Sequence, residues 1–170
     1  MNWSEAQRVH SEAAMQLAAT AESVRAEGWL VPIVEAKWSP AEIVEHLNLG
    51  YDVLTRELEG GPGMQIRTKA WQRILLRFWL VPKLLRGAPF PANSRAPREM
   101  RPQSANPDRE AAVRSFREKA SRFESLAAQM QRDGRRVRLT HPYFGRAAVS
   151  ESVMMCARHV QHHQRQLANG

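Results

Sequence analysis

Cysteine is almost absent from this 170-residue chain: Cys156 is the only one, so no intrachain disulfide can form and the fold must rest on its core. Long hydrophobic runs are missing too. The longest, Ile74 to Pro82, is broken by Arg77 and falls well short of the roughly 20 apolar residues a membrane-spanning helix requires. The opening residues, Met1-Asn2-Trp3-Ser4-Glu5, lack the basic, apolar, small-residue order of a secretion signal, so a cytoplasmic protein is expected. Nor is there a glycine-rich phosphate loop, a nucleophile elbow, a Ser/His/Asp set or a repeat of fixed period.

Acidic residues are scarce in one region. Between Arg67 and Pro102 nine basic residues face the single acid Glu99, so this stretch carries the whole net charge of +8. Such a segment can attract nucleic acid, anionic lipid or an anionic substrate. Its arginines are spaced rather than clustered and no nucleic-acid motif accompanies them, which favours a plain solubilising role. What is present in quantity is ordinary globular composition: 43% apolar residues, over a length that suits a single domain, 1–170.

Helical periodicity dominates. A first helix is expected from an N-cap at Ser4 to near Gly28, with Ala14, Leu17, Ala18, Ala21 and Val24 on one stripe. Ser39, Pro40 and Glu42 form the clearest helix start in the sequence, a capping box with proline at the first helical position. The helix they open carries Ile43, His46, Leu47, Gly50, Val53, Leu54 and Leu58 on one face and stops at Gly60-Gly61-Pro62-Gly63. A further amphipathic helix is expected from about Met64 to Arg86, bent or ended by Pro82. The five prolines between Gly87 and Pro107 indicate an extended connection.

Another helix is expected from Asp108 to Gly134, through Val113, Phe116, Ala120, Phe123 and Ala127. Residues 135–148 hold one isolated extended stretch, with too little β pattern elsewhere to build a sheet. The last helix is expected to open at Ser150 and run close to the C-terminus. Four core-length helices with a long crossover between the second and third give an all-α four-helix bundle.

The histidines carry the chemistry. His159 and His163 are four residues apart, so their rings leave one helix face with Cβ atoms about 6 Å apart. His46 sits on the apolar stripe of another helix. Were the two helices adjacent, three neutral nitrogens would hold one divalent ion such as Zn, Ni, Fe or Cu and leave a position open for water or substrate. Spacing alone leaves adjacency open, and a histidine on an apolar stripe can equally be a satisfied core residue. His162 leaves the helix about 100° from His163 and reads as a surface residue. Cys156 reads as an inert core thiol, Trp38, Met154 and Met155 as core, Arg158 as solvated, and His10 and His141 have no partner at a useful spacing.

The string Lys37-Trp38-Ser39-Pro40-Ala41-Glu42-Ile43-Val44-Glu45-His46-Leu47 resembles the second-helix signature of the DinB-like superfamily, which includes the YfiT-like proteins. Arg158-His159-Val160-Gln161-His162-His163-Gln164-Arg165-Gln166-Leu167 resembles its C-terminal HxxxH signature, and His141-Pro142-Tyr143-Phe144-Gly145 resembles a subgroup of unknown function within it. The resemblance implies a four-helix bundle with a long crossover, commonly a homodimer, and a divalent metal (Zn, Ni or Fe) on His46, His159 and His163. Many relatives follow the final histidine with Arg-Gly-Gln, where this chain has Gln164-Arg165-Gln166.

Members of that superfamily include transferases that use bacillithiol or mycothiol, and others resemble hydrolases or isomerases. The enzymatic reading is therefore a metal-dependent, thiol-dependent transferase, or a hydrolase, acting on a small-molecule electrophile with a low-molecular-weight thiol as cosubstrate. Glu42 is accounted for as a cap and Glu45 lies off the histidine face, so neither is expected to act as a general base. The competing reading is a non-enzymatic bundle whose segment 67–102 binds an acidic partner or nucleic acid.

Overall fold

Asn2, not Ser4, caps the first helix: its Oδ1 accepts from the Ser4 N–H at 2.9 Å in the computed structural model, which describes residues 1–35, 37–91, 95–103 and 107–168. Asparagine is as strong a cap as serine, and taking the earlier residue adds to the helix. Helix α1 (Trp3–Ser23) ends before the expected Gly28, and a 3₁₀ turn occupies Ala26–Gly28. Helix α2 (Pro40–Leu58) starts as the sequence implies. Ser39 Oγ accepts from the Glu42 N–H at 3.3 Å, and the Glu42 carboxylate accepts from the Ser39 N–H at 2.8 Å.

The segment expected as one helix over Met64–Arg86 is two: α3 (Ala70–Trp79) and α4 (Val81–Leu85). Pro82 lacks an N–H and is tolerated only in a first turn, so the chain restarts at Leu80 instead of bending through it. Beyond α4 the proline-rich connection is not wholly irregular. A 3₁₀ turn at Arg98–Met100 folds back on α2, burying Met100 with Val53 and Met64; residues 92–94 and 104–106 of that expected connection lie outside the described residues.

Helix α5 (Arg109–Arg132) opens on Asp108, whose side chain accepts from the Ala111 N–H. The stretch after it pairs into a small antiparallel hairpin, β1 (Arg138–His141) with β2 (Gly145–Ala148), correcting the expectation that no sheet would form. A local hairpin needs only a tight turn. Gly145 supplies it with φ of +74°, and Glu57 at the end of α2 anchors β1 by accepting from the Thr140 N–H and hydroxyl. Helix α6 (Val149–Ala168) follows directly.

The core helices are α1, α2, α5 and α6. The first and last pack most extensively on each other, α2 packs on α5, and the crossover α3–α4 lies outside this bundle against α6 and the hairpin. Tyr51, Phe116, Phe123, Leu17, Val113, Val153 and Val160 fill the centre with almost no exposure. Among the described residues no helix is long and apolar enough to cross a membrane.

Candidate metal centre

The capping box fixes where α2 begins, and with it the direction of His46, two turns into the helix on its buried face. On α6, His159 and His163 share a face because four residues make little more than one turn. The fold brings these two faces together. The His159 Nε2 lies 3.3 Å from His46 Nε2 and 3.0 Å from His163 Nε2, and one nitrogen from each of the three rings falls within 4.8 Å of the others. Tetrahedral nitrogens at 2.0–2.1 Å from a zinc ion would stand about 3.3 Å apart. The two distances to His159 lie close to that spacing, and the His46 and His163 nitrogens fall within 4.8 Å of each other.

The outer nitrogens decide which tautomer each ring takes. Nδ1 of His46 faces the carbonyl oxygen of Met100 at 2.7 Å, and that oxygen can only accept, so Nδ1 carries the proton and Nε2 offers a lone pair. His163 is set in the same way by the side-chain oxygen of Gln166, 2.7 Å from its Nδ1. Ligand histidines ordinarily have such partners. The lone pairs of two rings thus converge on His159 Nε2, an arrangement that a cation at the centre would stabilise.

Electrostatics point the same way. Burial, opposed by the bond to Met100, pushes the His46 pKa down to about 4. Burial also holds His159 and His163 well below the usual imidazole range, and charge on neighbouring histidines would oppose their protonation further. All three rings are therefore neutral at physiological pH, the form that binds metal.

Two aromatic rings wall the centre. Trp38 lies 4.7 Å from His46 and 6.3 Å from His163, ring centre to ring centre, and Phe90 lies 5.5 Å from His159. Trp38 is half-buried, packed on the edge of the core beside the site, whereas Met154 is fully buried and Met155 packs on the Val81–Leu84–Phe144 cluster. His162 stays outside the trio, against Phe90 and the flank of His163. Cys156 stays outside as well, packed on the core. Arg158 is not simply solvated: it donates to the Leu85 carbonyl and to Gln161, fastening α4 to α6. Glu45 accepts from the Gln103 N–H, away from the histidines.

Sequence reasoning missed four neighbours. Met100 and Phe90 come from the proline-rich connection, where no periodicity marks them. Gln166 stood in plain view, three residues past His163, in the place of the glutamine of Arg-Gly-Gln. His141 lies near enough to His159 to disfavour its protonation. Its own ring stacks on Phe144 at 4.1 Å, with Nδ1 accepting from the Tyr143 and Phe144 N–H groups.

A second histidine network, unrelated to the trio, fills the bundle interior. His10 Nδ1 lies 2.8 Å from the Glu124 carboxylate and its Nε2 2.9 Å from the Tyr51 hydroxyl, while Gln7 and Ser11 also donate to Glu124. His10, which has no partner at helical spacing, finds its partners on α2 and α5.

No curated protein and no solved structure matches the chain significantly. A family profile, that of the DinB superfamily, matches residues 10–167, a span that takes in the histidine-bearing stretches of both α2 and α6. With the mostly helical bundle and the three converging histidines, this match establishes that the chain belongs to the DinB superfamily.

Proposed function

We propose that this protein is a divalent-metal enzyme that transfers a small thiol, or water, to a small electrophilic substrate at the centre formed by His46, His159 and His163. The observation that carries the reading is the convergence of the three imidazole nitrogens, with the outer nitrogens of His46 and His163 held by Met100 and Gln166. A divalent ion on three neutral nitrogens would supply Lewis acidity, lowering the pKa of a thiol or water brought to its remaining positions.

The chain's own residues define how such a centre would work. Met100 and Gln166 hold two ligand rings in their binding tautomer. Trp38 beside His46 and His163, and Phe90 beside His159, would offer apolar walls to a substrate. Among the described residues no carboxylate joins the trio, and the reading assigns nucleophile activation to the centre and not to a general base.

Elemental analysis of the purified protein tests the first half, with one equivalent of a divalent metal expected. Cobalt substitution tests the second. Addition of a low-molecular-weight thiol should produce a sulfur-to-metal charge-transfer band in the wild type that is lost in His163→Ala. A metal-replete protein whose cobalt spectrum ignores thiols, while small anions exchange freely, would replace the transferase reading with hydrolysis.

A homodimer accompanies this proposal as an expectation of the superfamily, and a cytoplasmic setting as an expectation from the single cysteine and the opening residues. The alternative, an acidic or nucleic-acid partner for segment 67–102, has the local charge in its favour. Part of that charge is already engaged within the chain: Arg77 with Glu151 at 2.8 Å, Arg67 with Glu99 at 3.8 Å, and Arg73 with the Thr68 carbonyl.

A further inference from the structure

Helix α3 is turned inside out. Of its ten residues none is buried, and Trp71, Ile74, Leu75, Phe78 and Trp79 are between 58% and 80% exposed. Their spacing of three, one, three and one places them on a single stripe. The opposite side, which in an ordinary bundle helix would face water, is the side held to the protein. Arg77 reaches Glu151, Leu76 packs against the Val81–Leu84–Phe144 cluster, and Arg73 lies over Gly145, where a Cβ would come within 3.2 Å of its Cδ.

This orientation is fastened at both ends. Before α3 the Arg67 N–H donates to the Pro142 carbonyl at 2.8 Å and the Thr68 hydroxyl donates to the Tyr143 carbonyl at 3.0 Å. After it, Arg158 donates to the Leu85 carbonyl. Rotating the stripe inward would break these bonds and pull Arg77 away from Glu151, so the apolar face stays outward.

The chemistry of the surroundings selects what covers it. From Arg67 to Arg86 there are six cations and no acid. Lys69, Lys83 and Arg86 are exposed around the stripe, and the Lys83 ammonium stands 3.8 Å over the Trp79 ring. A second copy of this surface would set one cationic rim against another. An anionic surface would not. Tryptophans at both ends of the stripe, branched apolar and phenyl side chains between them and lysines able to extend beyond them are the side-chain set of helices that lie in a lipid headgroup layer.

We propose that the outward face of α3 docks on an anionic bilayer surface, with Trp71, Ile74, Leu75, Phe78 and Trp79 entering the interface and Lys69, Lys83 and Arg86 meeting lipid phosphates and carboxylates. The protein would then be held on a membrane without spanning it.

The test is co-sedimentation of the full-length protein with phosphatidylserine-containing vesicles, set against vesicles of phosphatidylcholine alone. Binding is expected to the first and not the second, and to weaken steeply as salt is raised. Ile74→Asp with Phe78→Asp should weaken binding about tenfold or more, as should Lys69→Glu with Lys83→Glu. Helix content and bound metal should not change in either variant, because these side chains point away from both core and centre. Failure to bind anionic vesicles would overturn the proposal, as would equal binding to neutral ones. A protein that ignores vesicles but forms a dimer lost on Phe78→Asp would assign the face to a second copy.

Discussion

The carbonyl oxygen of Met100 lies 2.7 Å from Nδ1 of His46 across 54 residues of chain, and the same residue's methyl group fills the space above Gly50, one turn further along α2. A Cβ at Gly50 would stand 2.7 Å from the Met100 Cε. The missing side chain is therefore what lets the 3₁₀ turn approach and deliver its carbonyl to the His46 ring. Met100 swings a flexible side chain and can yield to a single methyl, but not to a branched group. Gly50→Val is expected to push the turn off α2 and lower metal affinity by about tenfold or more, as measured by competition with a chromogenic chelator. Unchanged affinity would show that the Met100 carbonyl does not support the centre.

Single alanine substitutions at His46, His159 and His163 should each remove most of the bound metal and leave helix content nearly intact. His162→Ala should change little, since its ring lies outside the trio. A full equivalent of metal retained by His159→Ala would refute the assignment, because His159 is the ring whose Nε2 sits between the other two.

Gln166 gives a separable test of tautomer control. Gln166→Leu removes the acceptor for the His163 Nδ1 proton and should cost about 10- to 100-fold in metal affinity. Gln166→Glu keeps an acceptor and adds negative charge behind the ring, so it should restore or exceed wild-type affinity. Equal losses in both variants would point to packing instead.

The His10–Glu124 pair predicts an alkaline weakening of the fold. Burial alone would depress the His10 pKa, but its contacts with Cys156 and Glu124 outweigh burial and raise it from 6.5 to about 9. A folded-state pKa above the unfolded one stabilises fully below pH 6.5, and that stability is lost as pH rises through about 9. The shift corresponds to about 3 kcal/mol. Glu124, a partly buried carboxyl whose pKa is lowered by bonds from His10, Ser11 and Gln7 against the cost of burial, acts in the opposite direction, losing its contribution as pH falls below the ordinary carboxylate range. Melting temperatures should therefore fall between pH 6.5 and 9 in the wild type, and this slope should flatten in Glu124→Gln. A wild-type profile that is flat across that interval would show that His10 is neutral in the native state.

The histidine trio was legible as a candidate because each member is marked locally: His159 and His163 by a four-residue spacing, His46 by its place after a capped helix start. Joining the two helices required the superfamily resemblance, since contact between residues 46 and 159 leaves no periodic trace. Met100 and Phe90 were hidden for the same reason, lying in a stretch whose prolines indicate only the absence of a regular element. The bundle was readable from apolar stripes, but a stripe says that a helix has an apolar face and not which way the face turns. That is why the exposed side of α3 emerged only with the fold. The hairpin escaped notice because a two-stranded ribbon held by Glu57 needs no wider sheet pattern.

His46 and His159 are separated by 113 residues, and the first helix of the chain packs chiefly on the last. During synthesis the three histidines therefore cannot meet until α6 has emerged, because His159, His163 and the main partner of α1 all lie on that helix. Earlier segments can form helix but cannot assemble the three-histidine cluster. An ion held there as proposed would be captured late, and it would close a loop from residue 46 to residue 159, linking the survival of the centre to that of the bundle.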